Sequence, residues 1–77
     1  MDGTLLAEKL AKTCRQIEGC QRMISQMEAT IAKLEAGGHP TRVARDLLSA
    51  MRASRRGYDR DRDRYLAMLE NSGAYRR

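Results

Sequence analysis

Few residues of this 77-residue chain have side chains suited to covalent or metal chemistry, apart from two cysteines, one histidine and ten acids. Cys14 and Cys20 stand six residues apart in a helix-favouring stretch, about 9 Å along a helix axis. A disulfide needs Cα atoms within about 7 Å, so one helix cannot hold both ends of such a bridge. The expectation is two reduced, half-buried small side chains. A Cys20–Cys20 bridge across a symmetric dimer is the alternative, and a reducing compartment opposes it. His39 falls in a Gly-Gly-His-Pro stretch, and the chain has no Cys-x-x-Cys pair, so no zinc site is expected. Nor does His39 have a Cys, Ser or carboxylate constellation in sequence that would make it a catalytic base. Asp59, Asp61 and Asp63 suggest a cation site at first sight. The arginines between them oppose one, and the glycine and Glu of a calcium loop are missing. The sequence therefore predicts no catalytic residue, no metal site and no cofactor: a non-enzymatic protein.

What remains is charge. Residues 1–40 carry five cations and five anions, which cancel. Residues 41–77 carry ten arginines and no lysine against five acids, and hold the whole net charge of +5. At about 100° per residue, Arg42, Arg45, Arg52, Arg56 and Arg60 cluster on one side of a helix, roughly opposite its apolar line. Such a face suits an acidic protein partner, or the phosphates of DNA or RNA. Against the second stands the lack of aromatics set among the basic residues and of helix-turn-helix spacing. The plain alternative is a solvated face with Arg42–Asp46 and Asp61–Arg64 as local ion pairs.

The elements that position these groups are written in a seven-residue repeat. Leu10, Ile17, Ile24 and Ile31 recur in step, and Leu6, Thr13, Cys20, Met27 and Leu34 recur between them. This is the a/d seam of a helix that packs on other helices. Helix 1 is expected over about 4–36, with Thr4 as its cap. Gly37-Gly38-His39-Pro40 is the strong breaker, where glycine supplies a left-handed cap and proline cannot continue the helix. Helix 2 is expected over about 41–71, with Thr41 or the His39-Pro40 pair at its start and a frayed tail over 72–77. The short connection makes the two helices antiparallel neighbours in one domain.

Helix 2 is the less regular partner. Its apolar line is Ala44, Leu47, Leu48, Met51, Tyr58, Tyr65 and Leu69, with Leu66 and Met68 at the edges. Between Met51 and Leu69 the seam admits either Arg55 and Arg62 or Ser54 and Asp61. Gly57 interrupts the helix at a cost of about 1 kcal/mol relative to alanine. Folding the hairpin about Gly38 sets Met27 opposite Met51, Ile31 opposite Leu47 and Cys20 opposite Tyr58. Ile24 and Ile17 then face polar residues, so a continuous apolar ridge on helix 1 is expected to stay uncovered. A second copy packing on that ridge gives a homodimeric four-helix bundle. Leu6, Leu10, Ile17, Cys20, Ile24, Met27, Ile31, Leu34, Met51, Tyr58 and Tyr65 are its predicted seam.

Chain length and composition agree. Seventy-seven residues with one proline and no Phe or Trp give one small helical domain, of the size that often leans on oligomerisation. No apolar run reaches the roughly 18–20 residues that cross a bilayer, and the first residues do not read as a signal peptide. A cytoplasmic setting without membrane contact is expected.

Leu6-Ala7 with Leu10-Ala11, Ile31-Ala32-Lys33-Leu34-Glu35, Gly38-His39, Ala44-Arg45-Asp46-Leu47-Leu48 and Asp61-Arg62-Asp63-Arg64 carry a resemblance. Over about residues 5–69 the chain resembles a group of short, uncharacterised bacterial proteins expected to form two-helix hairpins. The resemblance implies the hairpin fold and no activity, cofactor or catalytic residue. The chain departs from the group at Gly57, where relatives carry a larger apolar residue, and at Pro40, where they carry a capping residue. In architecture it is also similar to small RNA-binding hairpin dimers of the Rop type. The expectation is thus an all-α hairpin that dimerises and acts as an adaptor or regulatory interaction protein. Nucleic-acid binding is the alternative, and an inhibitor or accessory subunit of a larger complex a further one.

Overall fold

Two long helices account for nearly all of the computed structural model, which describes residues 3–72. Helix α1 spans Gly3–Ala36 and helix α2 spans Arg42–Ser72. Thr4 therefore lies inside the first turn of α1 rather than ahead of it. The residues from Gly73 on, where a frayed tail was expected, lie outside the described residues.

The turn between the helices is built by hydrogen bonds that the sequence makes available. Gly38 takes φ +74°, a left-handed conformation that glycine adopts without a side-chain clash. The amide of His39 then donates back to the Leu34 carbonyl at 2.8 Å, and that of Gly38 to the Glu35 carbonyl at 3.0 Å. These two bonds form a Schellman motif, which satisfies carbonyls left open at the end of α1. At Gly37 a side chain would only displace the exposed His39 ring. A Cβ there would stand 2.8 Å from Cδ2 of the His39 ring. Thr41 stands at the N-cap of α2, its carbonyl accepting from the Arg45 amide at 2.8 Å.

Packing of α1 on α2 departs from a strict heptad. The buried side chains of α1 are Leu6, Thr13, Ile24 and Ile31. Leu6 and Thr13 come from one line of the seven-residue ladder, Ile24 and Ile31 from the other. The steps are seven, eleven and seven, so Leu6 to Ile24 and Thr13 to Ile31 each span eighteen residues. Eighteen residues are about five whole turns of a straight helix, whereas a 3.5-residue repeat demands supercoiling. The buried stripe follows the helix's own period. Leu10, Ile17, Cys20, Met27 and Leu34 flank it and are half-buried.

On α2 the stripe runs Ala44, Leu48, Met51, Arg55, Tyr58, Arg62, Tyr65 and Leu69, with alternating steps of four and three. Only Leu48 and Leu69 on this stripe are buried, Leu69 completely. Ile24, Ile31 and Leu48 form a core into which Met27, Ala44 and Met51 pack.

Two expectations are corrected here. Ile31 packs with Leu48, not Leu47, which stays 49 % exposed because it sits one residue off the stripe. The ridge on α1 is not left uncovered as a whole either. Ile24 and Ile31 are each 6 % exposed within the single chain. Ile24 is covered by Leu48 with Met27 and Met51 packed around the cluster, before the stripe of α2 turns to Arg55. The molecule is a rod of 57 × 16 × 14 Å with a radius of gyration of 17.3 Å. A compact chain of this length has about 11.5 Å.

Candidate functional site

The two ion pairs across the hairpin fix which sides of the helices adjoin. Arg52 Nη2 donates to Glu28 Oε2 at 2.7 Å, and Arg45 donates to Glu35 in the same way. The pairs are spaced seven residues apart on both helices in opposite directions, which is the antiparallel register. At about 100° per residue, Glu28 and Glu35 lie to one side of the buried stripe of α1, and Leu5 and Met23 about 90° to the other. On α2, Arg45 and Arg52 lie to one side of the stripe and Val43, Leu47 and Met68 to the other. The hairpin therefore has a flank of cross-helix ion pairs and a flank richer in apolar side chains, on which Lys12 and Asp61 also stand.

The charged flank divides the five predicted arginines. Arg45 and Arg52 clasp α1, which corrects the expectation that all five point away from the apolar line. Arg42, Arg56 and Arg60 make no ion pair or hydrogen bond among the described residues. An Arg42–Asp46 pair does not form, because neither side chain reaches the other among the described ion pairs. Asp61 does accept from Arg64, at 3.1 Å. Both clasping pairs are about half exposed, so each contributes only about 0.2–1 kcal/mol.

A shallow cleft of about 330 Å³ opens beside the clasp, lined by Gln21, Ile24, Glu28, Arg52, Arg55, Arg56 and Asp59. It lies where α2 carries arginine in the seam. Asp59 links the two seam arginines, with Arg55 Nε at 3.8 Å and Arg62 Nη1 at 3.6 Å from its carboxylate. Asp59 Oδ1 is buried and accepts no hydrogen bond. Arg62 Nε in turn donates to Asp63 at 3.2 Å, and the Arg64 guanidinium stacks 5.8 Å from the Tyr65 ring centroid. The bridging role of Asp59 was legible in its spacing, four residues after Arg55 and three before Arg62, although Asp59 was weighed above only as part of a cation site.

This flank carries Leu5, Met23, Val43, Leu47 and Met68, five of the six exposed large hydrophobics among the described residues. Leu66 is the sixth and lies on the other side of the α2 stripe. Tyr58 and Tyr65 are half-buried at the margin of this flank. Val43, at 74 % exposure the most open of the five, had no place in the sequence-derived seam.

The residues first weighed for chemistry do not converge. Cys14 and Cys20 are free thiols, and His39 is exposed in the turn. Among the described residues no three His, Cys, Asp or Glu side chains gather as a metal site would require. None of the described helices is long and apolar enough to cross a membrane. The chain matches no family model, no curated protein and no solved structure.

Proposed function

We propose that this chain is a non-enzymatic interaction protein that self-associates into a four-helix bundle and meets an acidic protein partner through its charged flank. The observation that carries the second half is the row of Arg42, Arg56 and Arg60. These guanidinium groups have no carboxylate partner among the described residues, although acids are plentiful on the same helix. Arg56 and Arg60 are one turn apart, about 6 Å along the axis, and Arg56 also borders the cleft. Two guanidinium groups at that spacing can each take a carboxylate bidentately.

Self-association is supported by shape. The accessible surface is 5689 Å², against about 4700 Å² for a compact monomer of 8.7 kDa. The excess of about 1000 Å² is comparable to the roughly 800 Å² that one partner gives up in a standard-size interface.

Titration of the chain with an acidic helical peptide, and separately with duplex DNA and RNA, tests the charged flank. Peptide binding at about 50 mM salt that is lost in the Arg42→Glu, Arg56→Glu, Arg60→Glu triple variant supports an acidic protein partner. Binding to nucleic acid alone, with a steep salt dependence, replaces that partner by a phosphate backbone. No binding to any of the three ends the arginine reading.

A further inference from the structure

The cleft beside the clasp lies where a repeat of the hairpin breaks off. Glu35 faces Arg45, and Glu28 faces Arg52. Seven residues further from the turn on each helix, Gln21 and Asp59 stand at the next rung, and both line the cleft. On the first two rungs a long arginine side chain spans the helices. Asp59 is shorter and is drawn to the seam, 3.8 Å from Arg55 Nε and 3.6 Å from Arg62 Nη1. The place that an arginine takes on the other rungs is left open, as a space of about 330 Å³. We infer that this cleft is the socket for one carboxylate side chain of the acidic partner, held by Arg56 with the Gln21 amide beside it. The inference rests on the acidic partner proposed above and adds where that partner is anchored and by which groups.

Charge selects a monoanion. The guanidinium groups of Arg52, Arg55 and Arg56 line the cleft against the carboxylates of Glu28 and Asp59, which leaves one positive charge in excess. That excess belongs to Arg56. Arg52 donates to Glu28 at 2.7 Å and Arg55 pairs with Asp59, whereas Arg56 makes no ion pair or hydrogen bond among the described residues. Its planar fork of N–H donors takes a carboxylate bidentately. Gln21 has no hydrogen-bond partner among the described residues either, so its amide N–H groups supply a second donor at the same opening. A second negative charge on the ligand would face Glu28 and Asp59 with no further free cation in the cleft.

Size and surroundings select a side chain of a larger partner. Ligand pockets run from about 300 to 1,000 Å³, so this cleft stands at the bottom of the range and admits one side chain or one small acid, not a helix. Ile24 is the apolar member of its lining, against which the methylenes of a glutamate can rest. A free acid would use Arg56 and no more. Arg60 stands one helical turn beyond Arg56, outside the cleft and also without a carboxylate among the described residues. Two acids four residues apart on a partner helix have the same spacing, so one can enter the cleft while the other meets Arg60. The free cation next to the socket thus favours a helix with paired acids over a lone acid.

Titration of the full chain with a helical peptide bearing glutamates four residues apart, at about 50 mM salt, tests the inference through two variants that close the cleft. The Gln21→Glu, Asp59→Arg double variant continues the ladder with a third Glu–Arg rung. It also raises the net charge from +5 to +6, since one acid is gained, one is lost and one arginine is gained. Gln21→Trp fills the cleft without a change of charge. Gln21 is exposed, so this variant keeps the hairpin, as helix content by circular dichroism will report. Each variant is expected to weaken peptide binding about 10-fold or more, as Arg56→Ala does. Long-range attraction alone gives the opposite sign for the double variant, because a more positive chain binds an acidic peptide more tightly. Binding that is unchanged or tighter with the cleft closed overturns the inference and leaves the acidic partner standing. A parent that does not bind the peptide overturns both. N-acetylglutamate that binds the parent as tightly as the peptide does overturns the anchoring of a partner and gives the cleft to a free acid.

Discussion

The half of the hairpin next to the turn and its middle use the same heptad frame with opposite chemistry. Next to the turn, the α2 stripe places Ala44, Leu48 and Met51 against Ile24, Met27 and Ile31, a dry cluster. One heptad further along, the positions of Leu48 and Met51 hold Arg55 and Tyr58, and Arg62 follows a heptad after Arg55; Asp59 ties the two arginines, and Arg55 borders a cleft. Leu48 and Arg55 are equivalent in the frame, yet Leu48 is 8 % exposed and the Arg55 side chain 38 %. The difference shows that position in a repeat sets where a side chain points, and side-chain chemistry sets whether that place becomes core. The turn half holds the hairpin closed. The middle carries half-exposed ion pairs, and dry contact resumes at the far end, where Leu6 and Leu69 are each 1 % exposed.

The same substitution at the two equivalent positions gives the largest expected contrast. Leu48→Ala removes buried methyl groups from a three-residue core and is expected to cost about 2–4 kcal/mol, enough to unfold much of so small a domain. Arg55→Ala removes a half-exposed ion pair and part of a stem, and is expected to cost under about 1 kcal/mol. Urea melts followed by circular dichroism check both. Equal losses at the two positions would mean that the middle is as well packed as the turn half.

The outline of this hairpin was legible in the sequence because each part rests on local chemistry. Gly38 and Pro40 break the helix by backbone restrictions that need no tertiary context, and the apolar spacing declares two helices that pack on each other. Which residues fill the core was less legible. A seven-residue ladder is satisfied by either of its two lines, and the structure takes Leu6 and Thr13 from one and Ile24 and Ile31 from the other. Straight helices drift about 20° per heptad relative to the ladder, and the sequence does not state how far α1 supercoils to correct it. The choice between Leu47 and Leu48 turns on the same few degrees. Burial of Ile24 was missed for another reason. A polar residue opposite an isoleucine was read as an uncovered isoleucine, whereas Leu48 and Met51, nearer the turn on α2, pack with Ile24. The arginine face was only partly legible, because Glu28 and Glu35 reach Arg52 and Arg45 through a register that only the folded hairpin fixes.

A second way to sharpen the comparison is to make the middle resemble the turn half. The Arg55→Leu, Arg62→Leu double variant places apolar side chains at both wet seam positions. Half-buried leucines gain less than the roughly 1.5–3 kcal/mol of full burial, and Asp59 is open enough to be solvated once its partners leave. A net gain of about 1–3 kcal/mol is expected, seen as a rise of several degrees in a thermal melt. A fall in stability instead would show that the Asp59 bridge holds the middle together.

The smallest effect belongs to the clasp, and it separates register from stability. A double-mutant cycle with Glu28→Gln and Arg52→Gln is expected to give a coupling of about 0.2–1 kcal/mol, because both side chains are about half exposed. The coupling should shrink in about 1 M salt, where the screening length is near 3 Å. Reversal of one charge acts differently. Glu28→Lys faces Arg52 with a like charge in the native register, and the combination of Glu28→Lys with Arg52→Glu restores attraction there. If the clasp selects the register, the single reversal will lower the sharpness of the melt more than its midpoint, and the double reversal will recover it. An unchanged transition in the single variant would leave register to apolar contact, the Ile24–Ile31–Leu48 cluster near the turn and the buried Leu6 and Leu69 at the far end.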